Sequence, residues 1–289
     1  MKEKYSKISP TAIFCARMRA KQNVPFAKEI VNLIDTKFKE YIEDLPDYGD
    51  TLNSKSDIIP FIEGRYYSLN ESLSKVKNAL IIEMASGLCP RSMEFLGKKD
   101  VFYVETELEG LINLKEKVLK EIIKKNGLND KNLIFMSINP LEKEEMNKIG
   151  ELYREKKKKQ LIVIHEGLLM YFDKREKEIF RDNMKYLFEK YDKKGLWLTS
   201  DFSRIKKDNE VKGKENIRDK ISKVTKRKFN YFKSEGETKE FLKKENFKSE
   251  IISNENVVKR LIIEKSLSSN KDDILESSKG YRVWKISLF

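Results

Sequence analysis

Two hydrophobic periods divide this chain. Ser9-Pro10-Thr11 has the form of a helix start, and Ala12, Ile13, Ala16 and Ala20, with Arg17 and Arg19 among them, continue as a helix with one apolar side. A second helix is predicted from Pro25, with Phe26, Ile30, Leu33, Ile34 and Phe38 on one face. Residues 44–60 hold Pro46, Gly49, Asn53 and Pro60 and read as a loop, and helical spacing resumes over 61–77.

At Ala79 the pattern changes. Four apolar residues lead to Glu83, then come the small residues Ala85, Ser86 and Gly87, and Pro90 suits a first helical turn. This predicts a buried strand, a tight loop and a helix start. Further strands are predicted at 101–105, 133–138, 161–165 and 196–201. Between them lie amphipathic stretches such as Leu108, Leu111, Ile112, Val118, Leu119 and Ile122, and later Phe180, Met184, Leu187 and Phe188. Strands spaced by helices imply an α/β protein with a mainly parallel sheet. Two more strands are predicted at 247–252 and 281–288, so residues 1–78 read as an N-terminal helical cap on a domain of residues 79–289.

In such sheets, ligands bind in the crevice at the carboxyl ends of the strands, where the first strand-to-helix turn lies. Gly87 would let backbone approach a ligand there. Glu105 follows Gly87 by 18 residues, close to the roughly 20 expected for a carboxylate that accepts hydrogen bonds from a ribose. An ordinary strand-end glutamate fits the same spacing. There is no Walker lysine and no complete G-x-G-x-x-G, so a nucleoside without a pyrophosphate suits the pattern better than a dinucleotide.

Composition changes the picture only in part. Of 289 residues, 37% are charged, but 16 Phe and 12 Tyr argue for a packed core. The net charge is +13, and 11 Lys and Arg against 4 Asp and Glu fall within 203–230. Ile217, Ile221 and Val224 are at helical spacing there, which suggests a basic lid inserted at about 203–240; only Phe229 interleaves an aromatic ring, so a solvated segment suits it better than a nucleic-acid footprint. Cys15 and Cys89 have no metal-ligand spacing, and no metal site is expected. The opening Met-Lys-Glu-Lys lacks the form of a signal peptide, and no apolar run approaches the about 18 residues of a membrane span. A soluble cytoplasmic protein with no membrane partner is expected.

Several pieces, in order, resemble the leucine carboxyl methyltransferase family, S-adenosylmethionine-dependent enzymes that include protein carboxyl methyltransferases and polyketide-associated O-methyltransferases. They are Thr11-Ala12 with Ala16-Arg17 and Arg19-Ala20, Arg65-Tyr-Tyr67, Glu83 to Arg91, Tyr103-Val-Glu-Thr-Glu107 with Lys115, and His165-Glu-Gly-Leu-Leu-Met-Tyr171. The resemblance implies a Rossmann-like class I methyltransferase sheet, mostly parallel with an antiparallel last strand. It also implies that S-adenosylmethionine is held by Glu83, Ala85, Ser86, Gly87, Glu105 and Thr106, with Arg65 at the methionine carboxylate and Asn139 facing adenine. Glu166 and Gly167 would lie beside the methyl-transfer centre, with Tyr171 nearby. Cys89-Pro90 stands where many members have Asp-Thr, and Glu107 and Asn139 stand where many have Asp.

The function implied is O-methylation of a carboxylate, or a hydroxyl, on a small molecule or a protein C-terminus. A carboxylate is ionised at pH 7 and needs no general base. For a hydroxyl acceptor, the single histidine, His165, is the candidate base; a satisfied structural histidine is the alternative. Two other readings are an RNA-modifying relative, motivated by the basic segment, and a cofactor-binding protein without turnover, motivated by the departures in the loop.

Overall fold

The structure is a computed structural model that describes residues 9–22, 24–41, 58–202, 222, 228–265 and 271–289. The predicted 44–60 loop lies almost wholly outside the described residues, as does most of the basic segment with its lid helix. Three helices come first, α1 (Ser9–Ala20), α2 (Ala27–Lys37) and α3 (Ile58–Leu73). Then come β1 (Ala79–Met84), β2 (Val101–Glu107), α4 (Glu109–Lys125), β3 (Leu133–Ser137), α5 (Lys143–Lys156), β4 (Gln160–His165), α6 (Lys174–Tyr191) and β5 (Leu196–Thr199). The chain ends with α7 (Glu235–Lys243), β6 (Phe247–Ile252), α8 (Glu255–Lys265), α9 (Lys271–Ser278) and β7 (Val283–Leu288).

The seven strands form one sheet in the order β3-β2-β1-β4-β5-β7-β6. β1 to β5 pair in parallel, and β7 runs antiparallel to both β5 and β6. This is the Rossmann-like α/β sheet the sequence pattern and the resemblance implied, with its antiparallel last strand.

Every residue of β1 is buried, because helices cover both faces of the sheet. Leu80, Ile82 and Met84 meet Met146, Phe180, Met184 and Trp197 on the α5–α6 face. Ala79 and Ile81 point the other way, with Leu69 and Leu73 of α3 and with Tyr103 and Ile162. The alternation obeys the two-residue strand period, so a slip of one residue would exchange the two cores. α6 starts at a capping box, in which Asp173 accepts from Glu176 N and Glu176 accepts from Asp173 N.

The cap helices share a core with α4, where Ile13, Ala16, Ile30 and Ile34 pack on Leu114, Val118 and Ile122. Two features depart from the sequence reading. After the Gly87 loop the chain forms a five-residue 3-10 turn at Arg91–Phe95 in place of an α-helix. Between β6 and β7, α8 and α9 were not anticipated; their Val257, Val258, Leu261 and Ile274 pack against Phe14, Met18, Phe61 and Ile62 of α1 and α3. Among the described residues, no helix is long and apolar enough to cross a membrane.

Candidate functional site

A cavity of about 830 Å³ opens at the carboxyl ends of β1, β2 and β3, under α1 and α3. That is toward the upper end of the roughly 300–1,000 Å³ usual for small-molecule sites. Of the residues predicted from sequence, Arg65, Glu83, Ala85, Ser86, Gly87, Asn139, Glu166, Gly167 and Tyr171 line it. Glu105, Thr106 and His165 do not.

The loop after β1 is shaped by two left-handed positions, Ala85 at φ 49° and Gly87 at φ 50°. The first costs about 1–2 kcal/mol for a residue with a Cβ, strain that surrounding contacts must hold in place. At Gly87 a Cβ would also sit 3.4 Å from the Ala12 Cβ, so this loop and α1 approach closely. Ser86 is buried at the cavity wall, and its hydroxyl has no partner among the described residues.

The acidic residue at the rim is Glu107, in place of the predicted Glu105. β1 pairs with β2 as far as Glu83 opposite Glu105 and stops. Glu105 is therefore still between neighbours under α4, where Lys115 Nζ donates to its Oε2 at 2.6 Å and to Ser86 O at 3.4 Å. Burial raises the pKa of the Glu105 carboxyl, with Lys115 opposing that shift. Two residues on, Glu107 ends β2 and lines the cavity. Gly87 N donates to its Oε1 at 3.3 Å and Leu108 N to its Oε2 at 2.8 Å. Each oxygen thus keeps acceptor capacity for a hydroxyl-rich ligand such as a ribose. Burial pushes the Glu107 carboxyl up despite these two amides. Thr106 faces away, its hydroxyl donating to Glu83 O at 3.0 Å. Asn139 follows β3, where its side-chain oxygen accepts from Leu141 N at 3.1 Å.

The cavity floor is a network of buried charges. Glu166 Oε1 accepts from Arg19 Nη2 at 2.8 Å and Oε2 from Arg91 Nη2 at 2.7 Å, with Arg65 Nε 3.8 Å away. Arg91 Nε reaches Glu83 Oε1 at 3.0 Å, and the Tyr103 hydroxyl donates to Glu83 Oε2 at 2.6 Å. Arg65 gives Nε to Ser200 Oγ at 3.0 Å and Nη2 to Asp201 Oδ1 at 2.7 Å. Burial works to raise the Glu166 carboxyl, but Arg19, Arg65 and Arg91 together hold it below the usual carboxylate range. Three guanidiniums face three carboxylates, Glu83, Glu166 and Asp201. The floor is charge-balanced.

Asp201 and Arg19 were not singled out as site residues from sequence. Asp201 accepts from the amides of Gly167, Leu168 and Leu169 at 2.7, 2.7 and 2.9 Å. It thereby clamps the loop carrying Glu166 to Tyr171. Burial pushes its carboxyl up, but His165, Arg65 and the Gly167 amide hold it well below the ordinary value.

His165 is structural in this arrangement. The Trp197 indole can only donate, and its Nε1 lies 2.8 Å from His165 Nε2, so Nε2 is the accepting nitrogen. The hydrogen is therefore on Nδ1, which faces Asp201 Oδ2 at 3.0 Å and Thr199 Oγ1 at 3.1 Å. With both nitrogens engaged away from the cavity, His165 does not meet an acceptor hydroxyl. Tyr171 does line the cavity, and burial raises its pKa. Burial likewise raises Cys15 and pushes Cys89 up to about 11, so neither thiol is a ready nucleophile.

No protein-family model and no curated protein matches the chain. Among solved structures, it is similar to an O-methyltransferase family protein from Burkholderia thailandensis, with 11% identity over 90% of this chain and 71% of that one at TM-score 0.47. It is also similar to PigF with SAH, at 9% identity over 94% and 72% with TM-score 0.45. For the pyocyanin biosynthetic protein PhzM the values are 9%, 93% and 75%, with TM-score 0.48. The likeness is one of fold alone.

Proposed function

We propose that this protein is an S-adenosylmethionine-dependent O-methyltransferase that esterifies a carboxylate. The observation that carries the reading is Glu107, a carboxylate at the carboxyl end of β2, braced by two amides and turned to the cavity beside the unpartnered Ser86 hydroxyl. This donor and acceptor set suits a nucleoside: Glu107 for the ribose hydroxyls, Asn139 for adenine, Ala85 to Gly87 for the methionine stem. Arg65, beside Glu166, is the candidate for the methionine carboxylate.

When bound, S-adenosylmethionine supplies an electrophilic methyl group on a sulfonium. The protein's own contribution is placement and exclusion of water, since positive sulfonium and negative acceptor neutralise each other as the methyl moves. A carboxylate acceptor is favoured because it needs no base, and among the described residues His165 is engaged elsewhere, burial raises Tyr171 and Cys15, three guanidiniums make the Glu166 carboxylate a weaker base, and Glu107 is taken by the ribose. The resemblance of the Glu166–Tyr171 run to leucine carboxyl methyltransferases supports the same acceptor chemistry.

Titration calorimetry with S-adenosylhomocysteine, followed by transfer of radiolabelled methyl to lysate fractions, tests the proposal. Binding and a base-labile product are expected, because esters hydrolyse in base while ethers and amines do not. No binding would remove the cofactor assignment; a base-stable product would remove the carboxylate.

A further inference from the structure

We propose that the half of the cavity formed by α1, α3 and the loop after β4 takes a small carboxylic acid with an apolar body, its carboxylate held by the Arg19 guanidinium. This rests on the reading that the Glu107 half holds S-adenosylmethionine.

The two halves differ in chemistry. Toward the strand ends Ser86, Glu107, Asn113, Ser137, Asn139 and Glu142 stand among apolar Leu88, Leu108, Leu111 and Ile138. Under the cap the lining is dominated by Phe14, Phe61, Ile62, Met170, Tyr171 and Phe172. Phe14, Phe61 and Ile62 are backed by α8 and α9, which makes this wall part of a packed core. Such a wall suits the apolar body of a small molecule and, beside Thr11, Arg19, Arg65 and Glu166, offers few side-chain partners for a peptide backbone among the described residues.

One buried donor in this half is unused. Arg19 is 6% exposed and lines the cavity; its Nη2 is spent on Glu166, and its Nε has no partner among the described residues. A buried unmade hydrogen bond from a charged group is costly, about 1–3 kcal/mol or more, and an anionic oxygen would satisfy it. The floor beneath is already balanced, three guanidiniums against three carboxylates, so a bound carboxylate finds its counter-charge in the sulfonium. In the transfer an acceptor oxygen lone pair forms the new C–O bond while the methyl C–S bond breaks and its electron pair stays on sulfur. The products are a neutral ester and a neutral thioether, and no proton is moved.

The test measures binding to the full-length protein saturated with sinefungin, the S-adenosylmethionine analogue whose ammonium stands where the sulfonium would, with phenylacetate, hexanoate, hexanamide and an N-acetylated apolar tetrapeptide with a free C-terminus as probes. Both acids are expected to bind, with hexanamide and the tetrapeptide at least about tenfold weaker. Arg19→Lys, which keeps a cation beside Glu166 but lacks the further N–H groups of the guanidinium, is expected to weaken the acids about tenfold while leaving S-adenosylhomocysteine affinity within about threefold. Acids that fail to bind a protein that does bind sinefungin would overturn the proposal, as would a tetrapeptide that binds as well as they do. A loss of S-adenosylhomocysteine affinity in Arg19→Lys would assign Arg19 to the donor and also overturn it. If the variant does not fold, the four probes on the unaltered protein still decide. Failure of sinefungin or S-adenosylhomocysteine itself to bind would count against the proposed function and remove the basis for this subsite.

Discussion

The floor and the rim of the cavity treat buried carboxylates in opposite ways. On the floor, Glu83, Glu166 and Asp201 are matched by Arg19, Arg65 and Arg91, and Asp201 alone accepts from three amides and two side chains. At the rim, Glu107 has two amide donors and no cation within ion-pairing distance among the described residues. The floor is charge-balanced and holds a loop in place; the rim carboxylate keeps acceptor capacity for the proposed ligand. A buried carboxylate that is braced but not neutralised is therefore a candidate for a ligand's hydroxyl groups.

The largest effect is expected on the floor. Asp201→Ala should destabilise the protein by about 3–5 kcal/mol, because it removes the shorter ion pair of the buried Arg65 cation and frees three amides of the 166–171 loop. The midpoint of urea unfolding measures this, and an unchanged midpoint would show that the network contributes little.

At the rim, Glu107→Gln should weaken S-adenosylhomocysteine by about 10- to 100-fold, the loss of charge-assisted hydrogen bonds worth about 1.5–3 kcal/mol. Glu105→Gln is the contrasting case. It leaves Lys115 without its carboxylate and should lower stability, with cofactor affinity changing far less. Calorimetry on the two folded variants compares them directly, and a larger affinity loss in Glu105→Gln would return the ribose to that residue.

The smallest effect concerns pH. Asp201 and Glu166 titrate below their unfolded values, so the stability they give is fully present above about pH 4 and is lost as pH falls through their folded values. Glu107 is raised, so its ionised form is lost at a higher pH than in an unfolded chain. Cofactor affinity should thus decline on acidification while the fold is still intact. Calorimetry and thermal unfolding across pH 7 to 4 would separate the two, and a simultaneous loss would contradict the contrast.

Much of this was readable in the residues. The central strands are continuous apolar runs because both faces are covered, and they could be placed from sequence along with the Gly87 loop. The exchange of Glu107 for Glu105 could not: the two alternate on one face, and which one emerges depends on where β1 stops. Its signal was the second acid of Val104-Glu-Thr-Glu107, at the position where many members of the family this chain resembles have Asp. Asp201 was hidden because its partners are backbone amides of a distant loop. His165 drew notice as the only histidine, yet its tautomer is set by Trp197 on the neighbouring strand. The α8–α9 pair was missed because its apolar positions answer to the cap helices, a tertiary partner that local spacing does not reveal.

The most direct measurement is a crystal structure with S-adenosylhomocysteine. The ligand is expected in the cavity at the carboxyl ends of β1 and β2, its ribose hydroxyls on Glu107 and Lys115 still paired with Glu105. A ribose on Glu105 with Lys115 displaced, or a ligand lodged outside this cavity, would contradict the assignment.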